Sequence, residues 1–215
     1  TVEALLMCGG RGTRLGGVVE KPLVDVAGRA MIGRVLDALE TSRVQRVHAV
    51  VSADAPATHR WLLDRVSTGS GRKLEIIETS GDGYVADIRA AVSEVPTPAL
   101  SVCADLPLLT ATIVDRVVTS GTRASLSVFV PVAMKRRLGV SIDTSIAIDG
   151  ERVAPAGINL LGKPEEDKRS ATESGADRLV LRNPRLAVNA NRPRDLQIAE
   201  ALLGAWGDAA EGQNP

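Results

Sequence analysis

The chain has 215 residues, 44% of them hydrophobic, and its 26 basic and 26 acidic side chains leave a formal net charge of zero. This size suits one α/β domain, which we place at residues 1–204, with a flexible tail at 205–215. The charge balance excludes the basic patterns typical of nucleic-acid binding or a polybasic membrane anchor, and no apolar run has the length of a membrane span. Two cysteines without a framework of spaced pairs fit a reducing compartment, and no signal-peptide pattern precedes the first apolar run. We therefore expect a cytoplasmic protein, and the sequence leaves its oligomeric state open.

Apolar runs alternate with segments of helical periodicity through the first 130 residues. Short apolar runs at 2–7, 48–51, 74–77, 99–103 and 126–130 predict buried strands. Between them, apolar residues recur at helical spacing and predict four helices, the fourth capped by Thr110. The alternation predicts an α/β fold with a Rossmann-like, mostly parallel sheet and helices on both faces. Ligands of such sheets bind beyond the carboxyl ends of the strands.

The pattern changes after residue 132. Residues 133–161 predict short strands and turns, and the basic run at 135–137 predicts a solvated loop or a contact with a phosphorylated substrate. Residues 162–178 are polar and predict a loosely held helix or a mobile loop. A last short strand is expected at 186–188, and Asn191 is a candidate cap for a final helix.

A glycine-rich loop follows the first strand and runs Cys8-Gly9-Gly10-Arg11-Gly12-Thr13-Arg14, with Lys21-Pro22 further on. Glycines let backbone N–H groups approach an anion, and the basic side chains add positive charge, which is the combination that a triphosphate needs. The P-loop is excluded because Lys21 is followed by Pro22 instead of Ser or Thr. The dinucleotide fingerprint is excluded because its third glycine is out of register and no acidic residue closes the second strand.

This loop resembles that of the nucleotidyltransferases of the sugar-nucleotide and molybdenum-cofactor type, which implies a nucleotidyltransferase fold. Asp105 lies just past the fourth strand, where a carboxylate is well placed to hold Mg²⁺ against an α-phosphate. The resemblance implies that role for Asp105, and the alternative is a turn residue before Pro107.

The segment 78–84 follows the third strand, where the family's loop surrounds the nucleobase. Gly81 and Gly83 would bring backbone groups to the base edge, and Ser80 or Asp82 would accept hydrogen bonds from guanine N1 and N2. The alternative is a turn in which Ser80 caps the third helix.

Three later segments narrow the resemblance. The run Ala154-Pro155-Ala156-Gly157-Ile158-Asn159, together with the segment 79–84 and the first loop, is similar to the archaeal guanylyltransferases that act on adenosylcobinamide phosphate. Residues 188–196 resemble that family's N-x-N-T-x-x-D-L motif, with Arg192 where Thr is usual. Asn189 is the metal or phosphate partner that this motif implies, whereas Asn191 is equally a helix cap.

The resemblance implies GTP as donor, a phosphorylated corrinoid as acceptor, Mg²⁺ as cofactor and pyrophosphate as the second product. Its implied catalytic residues are Lys21, Arg14 and Asp105, and its implied metal ligands are Asp105 and Asn189. Its implied nucleotide-binding residues are Cys8, Gly9, Gly10, Arg11, Gly12, Thr13, Thr79, Ser80, Gly81, Gly83, Gly157 and Asn189. Guanylyl transfer to molybdopterin is the nearest alternative, and a non-catalytic nucleotide sensor is an alternative of another class.

Overall fold

The fold is built on one sheet of eight strands, shown by a computed structural model that describes residues 2–9, 15, 17, 19–69, 71, 73–120, 125–162 and 177–207. The sheet strands are β1 (Glu3–Met7), β4 (Val47–Ser52), β5 (Leu74–Thr79), β6 (Ala99–Cys103), β7 (Leu126–Pro131), β8 (Ile146–Ile148), β9 (Glu151–Leu161) and β10 (Asp177–Val180). A separate small hairpin consists of β2 (Asp25–Val26) and β3 (Arg29–Ala30). The α-helices of the described part are α1 (Met31–Glu40), α2 (Pro56–Ser67), α3 (Tyr84–Val92), α4 (Ala111–Ser120), α5 (Val132–Leu138) and α6 (Pro193–Trp206).

The strand order is β10-β7-β9-β6-β1-β4-β5, with β8 paired to β9. Strand β1 runs parallel to both β4 and β6, β4 runs parallel to β5, and β7 runs parallel to β10. Only β9, among the described strands, runs antiparallel to both of its neighbours in this order. The predicted mostly parallel sheet is therefore confirmed.

Helices cover both faces of the sheet because the side chains of each strand alternate between them. Leu5 and Met7 point to the face covered by α3, whereas Ala4 and Leu6 point to the face covered by α1, α2 and α4. Both sets are almost fully buried, which explains why β1 reads as a continuous apolar run instead of an alternating one. Thr110 caps α4 as predicted, since its Oγ1 accepts a hydrogen bond from the N–H of Ile113 at 3.3 Å.

The segment that was predicted to contain only short strands and turns is more regular than its sequence indicates. It holds helix α5, which ends at Gly139 in the left-handed conformation, φ 78°. It also holds β9, an 11-residue strand that lies between β6 and β7. The prediction for 133–161 was therefore wrong, because it contained no helix and only short strands.

The short strand expected at 186–188 is also wrong. Residues 184–187 form a turn in which the N–H of Ala187 donates to the carbonyl of Asn183 at 3.2 Å. Leu186, Ala187 and Val188 are fully buried, so the apolar run reflects packing into the core instead of pairing in the sheet. The sheet edge beside β7 is taken by β10 instead.

The final helix is confirmed, but Asn191 does not cap it. Its N-cap is Arg192, and the carboxylate of Asp195 accepts hydrogen bonds from the backbone N–H groups of Asn191 (3.1 Å) and Arg192 (2.9 Å). Helix α6 runs to Trp206, whose ring lies 5.1 Å from the guanidinium of Arg185. Residues 163–176 of the expected polar loop and 208–215 of the expected tail lie outside the described residues. No helix in the described part is both long and apolar enough to cross a membrane.

Candidate active site

A cavity of about 670 Å³ opens at the carboxyl edge of the four neighbouring strands β6, β1, β4 and β5. The last residue of each of these strands lines it, namely Met7, Ser52, Thr79 and Cys103. The loops that continue from these strands complete the lining with Gly9, Asp54, Ala55, Gly81, Asp82, Gly83, Ala104 and Asp105, joined by Lys21, Pro22, Val50, Tyr84 and Asp87. The cavity thus lies where ligands of open α/β sheets bind.

Lys21 and Asp105 meet at the rim of this cavity. The Nζ of Lys21 donates to Oδ2 of Asp105 at 2.6 Å and to Oδ1 of Asn191 at 2.6 Å. The two charged side chains are 17% and 16% exposed, so the pair is mostly withdrawn from water yet open to the cavity. Three residues far apart in sequence, Lys21, Asp105 and Asn191, therefore form one charged cluster, whereas the sequence predicted Asn191 as a helix cap or as a metal or phosphate partner.

The backbone of Lys21 is held in place by the residues on either side of it. Pro22 is buried within a 3-10 helix at Lys21–Leu23, and the carboxylate of Glu20 accepts from the N–H groups of Ala57 (2.9 Å) and Thr58 (2.7 Å) in the first turn of α2. Burial tends to raise the pKa of Glu20, and the hydrogen bonds from Thr58 and Ala57 lower it more, so the pKa lies below its usual value of 4.5. Sequence reasoning missed Glu20, because a helix that begins 36 residues later gives no local sign of its partner.

Asp105 is held from a second side by the segment before α6. Its carbonyl accepts from the N–H of Ala190 at 2.9 Å, and its Oδ1 lies 3.5 Å from Nδ2 of Asn189. Asn189 in turn accepts at Oδ1 from the Nζ of Lys135 at 3.1 Å. Asn189 therefore presents its amide nitrogen to Asp105 and its amide oxygen to a buried cation.

The backbone at position 157 lies so close to the side chain of Asn189 that only glycine fits there. Its φ is +78°, and a Cβ at this position would lie 2.9 Å from Nδ2 of Asn189 and 3.6 Å from Cβ of Cys103. Gly157 and Asn189 do not line the cavity themselves, so the structure places both one layer behind it, against Asp105 and Cys103.

The end of β5 and the loop after it line the side of the cavity opposite Asp105 and include three of the predicted nucleobase residues: Thr79, Gly81 and Gly83. The N–H of Gly81 donates to Oδ1 of the buried Asp87 at 3.1 Å, which ties the loop to α3. Ser80 neither lines the cavity nor caps α3, since the N-cap is Gly83 and the hydroxyl of Ser80 donates to Asp82 at 2.7 Å. Asp82 is thus the acidic side chain that this loop offers to the cavity.

Sequence reasoning missed several lining residues, among them Ser52 and Asp54, and it placed Tyr84 in the nucleobase segment without giving it a role. A Cβ at Gly81 would lie 3.1 Å from Cβ of Ser52, so the loop after β5 passes close to the end of β4. The position of Ser52 at the end of a predicted strand was an available signal.

The glycine-rich loop is described only at its beginning. Gly9 lines the cavity and is exposed, whereas Cys8 is fully buried behind it. Burial, assisted by the nearby Cys103, raises the pKa of the Cys8 thiol far above its usual value, so Cys8 is a neutral packing residue. The predictions for Gly10, Arg11, Gly12, Thr13 and Arg14 fall on residues outside the described part of the chain.

The sequence matches the MobA-like NTP transferase domain over residues 4–204. It is 30% identical over 211 residues to the adenosylcobinamide-phosphate guanylyltransferase of Methanocaldococcus jannaschii, an alignment that covers 94% of this chain and 97% of that protein. A hypothetical transferase of Thermus thermophilus shares the fold at 20% identity, with a TM-score of 0.66 and coverage of 91% of this chain and 99% of that one. A CMP:2-keto-3-deoxy-manno-octonic acid synthetase shares it at 14% identity, with a TM-score of 0.62 and coverage of 95% and 98%. The chain therefore belongs to the MobA-like NTP transferase family and is a nucleotidyltransferase.

Proposed function

We propose that this protein transfers GMP from GTP to adenosylcobinamide phosphate and releases pyrophosphate. The observation that carries the choice of acceptor is the 30% identity to an adenosylcobinamide-phosphate guanylyltransferase over 94% of the chain. A phosphate oxygen of the acceptor attacks the α-phosphorus of GTP, and the bond from that phosphorus to the bridging oxygen of the β-phosphate breaks. The nucleophile is already an anion, so the protein has to position the reactants and offset charge.

Lys21 is our candidate for the group that offsets charge at the α-phosphate. An ammonium has three N–H donors, and the described contacts of Lys21 use two of them, toward Asp105 and Asn191. The third can reach a phosphate oxygen in the cavity while the other two hold the side chain in place. We assign the β- and γ-phosphates to the loop that begins at Gly9 and includes Arg14.

We propose that guanine lies between the loops after β4 and β5. Asp82 offers carboxylate oxygens to the N1 and N2 hydrogens of guanine, and the positive φ of Gly81 (80°) and Gly83 (110°) shapes the backbone around the base. Asp87 keeps this loop in place through the N–H of Gly81.

Mg²⁺ fits this site as a metal held by one protein carboxylate and the phosphates of the substrate, which is its usual mode in nucleotide enzymes. Asp105 is the ligand we assign, since both of its oxygens face polar groups at the rim of the cavity. Asn189 fits less well as a direct ligand, because its oxygen accepts from Lys135. When bound, the metal would neutralise charge on the phosphates.

A magnesium titration of the wild type and of Asp105→Asn tests the assignment of Asp105 as the metal ligand. Equal activity of both proteins at every magnesium concentration would contradict this assignment.

The decisive experiment measures pyrophosphate release from GTP with adenosylcobinamide phosphate, with molybdopterin, and with no acceptor. We expect release only with the corrinoid. Release with molybdopterin instead would establish the alternative acceptor. Tight GTP binding without release under any of the three conditions would establish a nucleotide sensor.

A further inference from the structure

Lys135 is a buried lysine next to the active site. It lies on α5 and is only 3% exposed, whereas the two arginines that follow it in the sequence are exposed. Its Nζ donates to the carbonyl of Ala187 at 2.8 Å and to Oδ1 of Asn189 at 3.1 Å. The expected solvated loop is therefore wrong for this residue, whose charge points into the protein.

The contacts of Lys135 continue to the reaction centre. Asn189 joins Lys135 to Asp105, and Asp105 is joined to Lys21. Each step in this series is a contact between polar side chains. Helix α5 is thereby connected to the proposed catalytic lysine through two intermediate residues.

Lys135 determines which end of the Asn189 amide faces Asp105. The two ends of an amide have the same shape but opposite hydrogen-bonding character. A cation on one side requires the oxygen there, and the donor nitrogen then faces the carboxylate. The reverse orientation would place two acceptors against each other at Asp105 and two donors against each other at Lys135. The absence of a side chain at Gly157 leaves room for the amide in this position, because a Cβ there would lie only 2.9 Å from the amide nitrogen.

We propose that Lys135 is a positioning residue for nucleotidyl transfer, which orients Asn189 so that its amide nitrogen fixes the carboxylate of Asp105. This inference rests on the proposed function, because it needs a transfer reaction in which Asp105 takes part. Lys135 does not line the cavity, so it acts through Asn189 without touching the nucleotide.

The test is a double-mutant cycle on Lys135 and Asn189, measured as kcat at saturating substrates, with GTP affinity from calorimetry. Lys135→Met keeps an unbranched side chain of similar length, one atom shorter, and removes its charge and its donors. We expect kcat to fall on the order of 10- to 100-fold, the usual cost of losing a residue that orients a catalytic ligand, with GTP affinity unchanged. The kcat of Asn189→Ala should fall by a similar factor. The kcat of the double variant should be no lower than that of Asn189→Ala alone, because both changes interrupt one series of contacts.

Lys73→Met is the matched control. Lys73 likewise donates two hydrogen bonds, here both to backbone carbonyls, those of Ser42 (3.2 Å) and Val44 (2.8 Å), but it lies before β5, at the edge of the sheet opposite the cavity. This variant should lose some thermal stability and keep its kcat. If Lys135→Met does not fold, Lys135→Gln keeps an amide donor of shorter reach and takes its place.

Three results would overturn the proposal while leaving the proposed function intact. The first is a kcat of Lys135→Met equal to that of the wild type. The second is losses that multiply in the double variant, which would mean that the two residues act independently. The third is the failure of both Lys135 variants to fold, which would make Lys135 a structural residue. An inactive wild type would instead count against the proposed function itself.

Discussion

The ammonium of Lys21 lies 2.6 Å from the carboxylate of Asp105, so a charged pair joins the segment after β1 to the end of the neighbouring strand β6. Ion pairs that remain partly accessible to water contribute little to stability, commonly about 0–1 kcal/mol. The importance of this pair therefore lies in its place at the rim of the cavity, where the proposed mechanism uses the ammonium to offset phosphate charge and the carboxylate to hold Mg²⁺.

Replacing Lys21 should damage catalysis more than binding. Lys21→Ala should lower kcat by roughly 10²–10³, the scale for losing one preorganised stabilising group, if its charge matters most as the pentacoordinate centre forms. GTP affinity should fall much less, because we assign the β- and γ-phosphates to the loop that begins at Gly9 and not to Lys21. Lys21→Arg should rescue poorly, since a planar guanidinium does not replace a compact ammonium. Single-turnover kinetics and calorimetry separate the two effects, and a kcat of Lys21→Ala within about threefold of wild type would remove Lys21 from the mechanism.

A methyl group on Gly157 should disturb Asn189. Gly157→Ala forces an L residue into a left-handed conformation, which costs about 1–2 kcal/mol. It also places a Cβ 2.9 Å from the amide nitrogen of Asn189, so the amide has to move away from Asp105. We expect lower kcat and lower stability in denaturant unfolding. Adding Asn189→Ala should restore part of the stability but none of the activity, and strictly additive losses of stability would show that the two residues do not collide.

The cavity should prefer GTP to ATP. Acceptors in the cavity that would receive hydrogen bonds from the N1 and N2 hydrogens of guanine stay unpaired when adenine binds. Each unpaired acceptor reduces the binding free energy by ~1–3 kcal/mol. Asp82→Asn keeps the size of the side chain and should reduce the ratio of the affinity for GTP to that for ATP. Asp64→Asn removes the same charge from an exposed residue on the surface of α2 and serves as the control. Calorimetry that gives equal affinities of the wild type for ATP and GTP would refute the assignment of guanine to this loop.

Glu20 should make the stability of the protein depend on pH in the acid range. Its pKa is lower in the folded state than in the unfolded state, so its contribution is complete above the unfolded value of 4.5 and is lost as the pH falls through the folded value. Glu20→Gln should therefore be less stable than wild type at neutral pH, and the difference should shrink below pH 4.5. Denaturant unfolding at a series of pH values measures this, and a difference that stays constant with pH would show that the charge of Glu20 is not involved.

Tyr84 offers a direct spectroscopic check of the cavity wall, because it is the single tyrosine of the chain. About half of its surface is exposed, yet its hydroxyl points inward and lies 3.4 Å from that of the buried Ser101. Burial of the hydroxyl, with the negative charge of Cys103 when ionised, raises the pKa of Tyr84 to about 12. Absorbance titration of the folded protein should show this value, and in urea the midpoint should return to about 10. A midpoint of about 10 in the folded protein would place the hydroxyl in water.

The sequence predicted the parts of the molecule whose signal is local. Strand β1 and its loop could be recognised because buried parallel strands are continuously apolar and because glycine and basic residues are dense after it. Strand β9 could not, because Pro155 and Gly157 interrupt its pattern, although the strand tolerates both: β9 is irregular in its pairing with β7 near them. The inward direction of Lys135 was equally hidden, since a run of three basic residues looks solvated whichever of them the core accepts.

The charged cluster shows the same limit. Asn191 before a helix has the features of a cap, and its contact with Lys21 spans 170 residues. No local pattern distinguishes these roles, because both require only a short polar side chain at a loop end. Asp195 decides which role Asn191 has, because its carboxylate accepts hydrogen bonds from the backbone N–H groups at the start of α6. The side chain of Asn191 is then left to accept a hydrogen bond from Lys21.

The insertion of β9 between β6 and β7 has a consequence for a chain that is still being synthesised. Every described residue that lines the cavity lies between Met7 and Asp105, so this part of the lining is synthesised before β9. Asn189 and Asn191, which hold Asp105 and Lys21, emerge about 85 residues later, after β9 has closed the sheet beside β6. The order of synthesis thus places the described cavity lining before the two asparagines that contact Asp105 and Lys21. If the proposed function holds, a chain that ends before Asn189 lacks the residues that contact Asp105 and Lys21, and we expect it to be inactive.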